Sequence, residues 1–275
     1  MSDRSEDTPP AVASVRSRPP PIPRISGTAI VGGVHLSTGN YGTAAWWRLV
    51  VSGLLISSLL AIGVTLTFAE CWLVDRLMST DWAATMWGLS GGAGGASSPS
   101  AGAVVPILSF VNFLIVLRLS SLSGYHAAEH KVVAAIERYG RVEVNEVLIM
   151  PRAHPRCGTV LLLGILPSLL IAYPLLYTHT PVAVGIAVVG WLLRYRVGYF
   201  IQQYLTTKPP TPAQLEAGLQ AGRQITSFWA ANAGRQVTIM QGLWNRGLPQ
   251  LLIGVVAGQH LLGYALEHLH LWLDW

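Results

Sequence analysis

The stretch Leu49–Phe68 reads LVVSGLLISSLLAIGVTLTF and holds no charged residue. Roughly 20 such residues are what a helix needs to cross the hydrocarbon core of a bilayer. Inside lipid every backbone N–H and C=O must be bonded within the protein, so a continuous apolar run of this length resolves as a helix. Three further runs follow. Residues 103–119 form a short one containing Pro106 and Asn112, 159–177 is the third, and 181–200 is the fourth. The predicted fold class is therefore an all-α polytopic membrane protein with about four transmembrane helices. Residues 251–266 form a fifth apolar segment that either spans the bilayer or lies on its surface.

Composition agrees with this class. Only 11% of the 275 residues are charged, against about 25% in ordinary soluble domains. The net charge of +5 is explained by topology and not by nucleic acid, because the cations fall in alternate loops. Arg4, Arg16, Arg18, Arg24 and Arg48 precede the first run, and the next loop has only Arg76. Residues 118–158 then carry Arg118, Lys131, Arg138, Arg141, Arg152 and Arg156, while the 178–181 turn has none. The positive-inside rule places the N-terminus and the 118–158 segment in the cytoplasm. Trp46, Trp47 and Trp72 flank the first run as interfacial aromatics do. The two cysteines imply no disulfide framework. Residues 1–25, rich in Pro and polar side chains, read as a disordered tail, and 26–275 as a single membrane-embedded domain. Residues 88–102, rich in Gly and Ser, read as a flexible loop. "GTAIVGG", 27–33, reads as short strands or a turn; it lacks the Lys context of a phosphate loop.

The chemistry lies in "SGYHAAEHKVVAAIERYG", 123–140. Ser123 is a candidate N-cap and Gly140 a candidate stop. On such a helix His126 and His130 sit one turn apart, with Glu129 on the same face. Two imidazoles so spaced can share one metal ion, and the carboxylate can orient or deprotonate a water beside it. His-x-x-Glu-His is the inverted form of the zincin pattern. Zinc is the natural divalent ion for it. "HPRCGT", 154–159, adds His154 and Cys157 at a chelating spacing, with Arg156 available for an anionic group.

Together these motifs resemble the YqhQ-like family of bacterial membrane proteins. "YHAAEHK" is similar to that family's Tyr-His-Gly-Ala-Glu-His-Lys, and "HPRCGT" matches its pattern as it stands. "LTTKPPTPAQLEAGLQA", 205–221, is similar to its Leu-Thr-Thr-x-x-Pro stretch followed by Gln-x-Glu, which brings Glu216 forward as a distant metal ligand. "VHL", 34–36, departs from the family's Met-Met-Arg, so His35 stands in that region. "VNEV", 144–147, carries its acid at Glu146. The resemblance implies a bacterial plasma-membrane protein and a metal-dependent enzyme.

The reading that follows is a membrane metal-dependent hydrolase with its site at the cytoplasmic interface. His126 and His130 bind the ion, and Glu129 is the general base. His154 or Glu216 supplies a third ligand, Cys157 ligates or supports the turn, and Arg156 stabilises negative charge. The substrate is a peptide or a lipid ester. The alternative is a scaffold or assembly factor, alone or as a homo-oligomer or membrane-complex partner, with His126, His130, His154 and Cys157 closing a structural zinc site. A transporter ranks third, because no charged residue falls within the apolar stretches 49–68, 103–117, 159–177 and 181–193. His260 and the "EHLH" of 267–270 are read as helix contacts and interfacial anchors.

Overall fold

The computed structural model of the protein describes residues 24–86, 99–176, 178–232 and 235–273. The proposed tail up to residue 23 and most of the Gly/Ser loop lie outside them. Two short strands open the fold, β1 (Ser26–Ile30) and β2 (Gly33–Ser37). They pair antiparallel, Ser26 opposite Ser37 and Ile30 opposite Gly33. Gly32, at φ 66°, makes the turn between them.

Helix α1 follows, Trp46–Met78. At 1.5 Å per residue it is about 50 Å long, well beyond the hydrocarbon thickness. The first apolar run is thus only its centre. The helix continues beyond that run through Glu70 and Asp75. The Glu70 carboxylate accepts a hydrogen bond from Asn112 Nδ2 at 2.7 Å, and the same amide donates to Thr67 at 3.0 Å. Near the end of the helix Asp75 caps the short α2, Trp82–Met86: its oxygens accept from the backbone N–H of Trp82 and Ala83.

Among the described residues, three helices are individually long and apolar enough to cross a membrane: α1, α6 (Gly158–Leu175) and α7 (Thr180–Ile201), the last continued by a π-helical turn, Gln202–Thr206. Helix α3 (Pro99–Leu119) meets the same requirement only together with α4 (Leu122–Tyr139), and a 75° bend separates the two. Beyond that bend α4 is amphipathic. Its Val132, Val133, Ala135 and Ile136 join the core, while Arg138 and Tyr139 face out. We read it as lying across the bundle end, outside the spans.

The core that positions the site is built at this end. Val34 and Leu36 of β2 pack with α4 and with Leu219 and Ile225 of α8 (Pro212–Ala231). A capping box, Thr211 with Gln214, starts α8, and Gln214 also donates to the Ser121 carbonyl at 3.1 Å. Cations read from the sequence as topology signals act here as clamps. Arg118 donates to the Thr207 carbonyl, Lys208 to that of Ser120, and Lys131 to those of Leu148 and Met150 around the small α5 (Val144–Leu148). His35 is a core residue. Its Nδ1 accepts from Ala44 N–H, leaving Nε2–H to donate to the Asn245 carbonyl in α9 (Ile239–Asn245).

The last helix, α10 (Leu248–Leu273), runs parallel to α1 against its first half. A methyl group on Gly254 would fall 2.0 Å from the Val50 carbonyl oxygen, and one on Gly53 2.2 Å from that of Leu251. The two backbones touch because small residues line the seam, the usual route to close helix pairs in lipid.

Candidate metal centre

Helix α4 delivers two imidazoles through its own periodicity: His126 and His130 have ring centroids 4.2 Å apart. The third donor comes from the loop before α6. Cys157 is the N-cap of that helix, and its Sγ lies 3.5 Å from His126 Nε2 and 3.1 Å from the Thr159 hydroxyl. The donor atoms of His126, His130 and Cys157 all lie within 4.8 Å of one another. Glu129 Oε2 stands 3.5 Å from His130 Nε2 and 4.0 Å from His126 Nε2.

The surroundings aim these groups. His130 Nδ1 donates to the Arg152 carbonyl at 2.6 Å, so in the neutral ring Nε2 is left with a lone pair. That nitrogen is buried and, among the described residues, has no hydrogen-bond partner. The His126 ring is held by the backbone of Thr206. Gln202, wholly buried, accepts from the His154 backbone N–H at 2.7 Å and donates to Thr159 Oγ1 at 2.8 Å. The π-helical turn thereby fixes both ends of the 154–159 loop. Gly27 of β1 closes the other side; a methyl group there would lie 2.0 Å from Glu129 Oε1.

Electrostatics follow from burial. Desolvation lowers the His126 imidazole to about 4, against the Thr206 backbone bond, and lowers His130 as well. Both rings are neutral at pH 7 and free to ligate. Burial raises the Glu129 carboxyl well above the usual range, and the charge of Cys157 adds to this. Burial also pushes the Cys157 thiol up. The nearness of His130, with bonds from Thr159, outweighs it and brings the thiol down to about 7. Neutral imidazoles and a thiolate form a donor set that zinc accepts.

The remaining sequence candidates fall elsewhere. His154 turns to Glu137, with Nε2 3.1 Å from Oε2. Arg156 pairs with the same carboxylate, and its side chain is half exposed on the rim of a cavity of about 320 Å³ that also reaches Arg24, Gly27, Glu129 and Cys157. Glu216 lies on an exposed face of α8 near Arg223, with its oxygen 3.6 Å from the guanidinium, and does not line that cavity. The sequence reading passed over Glu137, Gln202, Thr159 and the Arg152 carbonyl. Only Glu137 carried a signal, standing seven residues after His130 and so on the same helix face.

Every group just described except Arg24, Gly27, Gln202, Thr206, Glu216 and Arg223 falls within one recognisable segment. Residues 101–197 match the family described as Protein of unknown function (DUF1385). That segment runs from α3 into α7 and contains His126, Glu129, His130, His154, Arg156 and Cys157. No curated protein matches the chain. No solved structure matches it either.

Proposed function

We propose that this chain is a bacterial plasma-membrane protein whose His126, His130 and Cys157 hold one divalent ion, zinc by donor type, and that it is a metal-dependent hydrolase working at the cytoplasmic surface. The carrying observation is the buried, unpartnered Nε2 of His130, beside Nε2 of His126 and Sγ of Cys157. Leaving a polar atom so placed costs about 1–3 kcal/mol, a cost a cation removes. The resemblance to the YqhQ-like family points the same way. The orientation, with the N-terminus cytoplasmic, rests on the loop cations.

Bound there, the ion would supply a Lewis acid and strongly acidify a water. The chain's own groups divide the remaining work. Glu129, pressed between β1 and the two imidazoles, receives and returns the proton of the attacking water. Arg156, held half exposed by Glu137, meets negative charge on the substrate. A peptide and a lipid ester both suit this chemistry.

A second reading has its own support. Glu129 Oε2 stands close to both Nε2 atoms, so as a fourth ligand it would close the coordination shell. A closed His₂-Cys-Glu site is structural, and the chain would then be a membrane scaffold.

One experiment separates these. The protein is purified in detergent and its metal content is measured for wild type, His126→Ala, His130→Ala, Cys157→Ala and Glu129→Gln; the cobalt-loaded form is then titrated with a small external ligand. The hydrolase reading expects metal loss for the first three variants, retention in Glu129→Gln, and a spectral change when the external ligand enters an open position. Metal loss in Glu129→Gln with an unresponsive spectrum supports the scaffold. Equal metal content throughout, or none in wild type, ends both readings.

A further inference from the structure

The hairpin of β1 and β2 has one edge occupied and one bare. In an antiparallel pair, opposed residues alternate between bonding across the ladder and pointing their backbone groups outward. Leu36 points outward: its N–H donates to Thr43 Oγ1 at 2.9 Å, and its carbonyl accepts from the Thr43 N–H at 3.0 Å. Gly27 stands opposite Leu36. Its own N–H and C=O therefore point the other way, off the far edge of β1. Ala29, two residues on, repeats the orientation. Among the described residues no hydrogen bond ends on these four groups.

The bare edge lies at the candidate metal centre. Three segments bound the cavity of about 320 Å³: residues 24–27, which lead into β1, a face of α4 with Glu129, His130 and Val133, and the 154–158 loop with Cys157. Gly27 thus belongs to the edge and to the cavity at once, and it sits against Glu129. Edge strands are commonly guarded against stray pairing by charge, proline or a bulge. The sequence of β1, SGTAI, has neither charge nor proline, and its register with β2 runs without a bulge.

We propose that this cavity takes a polypeptide in extended form, paired with β1 as a third strand. A strand edge presents donors and acceptors in alternation, and an extended peptide answers both with its main chain alone. An ester carries acceptors and no donor, so it leaves the Gly27 and Ala29 carbonyls unanswered. Paired strands lie about 4.8 Å apart, so a peptide bonded to Gly27 runs past Glu129, His130 and Cys157, which share the cavity. Every second side chain of that peptide turns toward α4 and the rest turn away. Recognition through main chain makes the site tolerant of sequence. That the peptide is cleaved there rests on the hydrolase reading; that it docks there does not.

The test uses the full chain in detergent, as zinc-loaded Glu129→Gln so that a bound peptide persists. A random-sequence decapeptide library is passed over it, with empty micelles as background. Retained peptides are identified by mass spectrometry, and the most abundant is synthesised with a fluorophore for anisotropy titration. Two further versions carry N-methyl groups on alternate amides, one on the odd positions and one on the even. Only one edge of the peptide meets β1, so one version is expected to bind about tenfold more weakly or less and the other as the parent does. Ala29→Pro removes an outward N–H and no ladder bond, and several-fold weaker binding with an unmoved unfolding midpoint is expected. If that variant unfolds, the two methylated peptides decide. No retained peptide, equal binding of both methylated versions, or full displacement of the peptide by equimolar phosphatidylglycerol overturns the proposal. Failure of the hydrolase reading has its own signature: zinc-loaded wild type binds the peptide as Glu129→Gln does and leaves it whole, which keeps the added strand and discards the cleavage.

Discussion

The His130 imidazole donates through Nδ1 to the carbonyl oxygen of Arg152 at 2.6 Å, which turns its other nitrogen, bare, toward Cys157. The backbone of the 150–157 loop thus selects the tautomer that a metal needs. His130→Ala is expected to lower zinc affinity by more than the ~10–100-fold that loss of an outer partner costs. Chelator competition measures this, and unchanged affinity would remove His130 from the ligand set.

Zinc uptake should depend on pH through Cys157. Its thiol sits near 7, so below that value a proton competes for the sulfur and each pH unit costs about tenfold in apparent affinity. Above it the dependence flattens. His126, held at about 4, is already neutral and adds no slope until far more acid conditions. Competition titrations on both sides of neutrality check this, with Cys157→Ala expected to lose the slope. A profile flat through pH 7 would contradict it.

Gln202→Leu should loosen the centre without touching a donor. The change strands the His154 N–H and removes the donor to Thr159. Unpaired buried groups cost about 1–3 kcal/mol, which thermal unfolding in detergent will read. Zinc affinity should fall about tenfold, as for an outer partner. An unshifted unfolding midpoint would show that the π-helical turn does not brace the loop.

Gly254→Val places a branched side chain where the Val50 carbonyl already stands. Backbone cannot give way as a side-chain tip can, so a loss of at least about 1–3 kcal/mol is expected. Gly185→Val, where an added methyl meets nothing within 4 Å, serves as the control. Equal unfolding of the two variants would mean that α1 and α10 are not in contact.

Orientation is read by labelling. A cysteine at Glu143 should react with an impermeant maleimide only after the membrane is opened, and one at Thr178 should react in intact spheroplasts. Both positions are exposed. The reverse pattern would invert the topology and move the candidate site to the outer face.

What could be read without coordinates was whatever one helix contains. The convergence of His126 and His130 is a property of α-helical spacing and needs no partner. That Cys157 joins them depends on where α6 starts relative to α4, a tertiary relationship absent from either motif. His154 was drawn to the set by proximity in sequence; in space Glu137 claims it. Glu216 was open to a better reading, since Gln214, Gly218, Ala221 and Ile225 form the buried face of α8 and their spacing turns residue 216 outward. The extent of α1 was missed for another reason: hydropathy marks the lipid-soluble portion, while backbone hydrogen bonding carries the helix past it to Met78.

The parallel contact between α1 and α10 has a consequence for biosynthesis. The glycine-lined side of α1 is matched to α10, so that side stays without its mate until Leu248–Leu273 has been translated. A chain interrupted before Leu248 would leave that side of α1 uncovered, within reach of proteases.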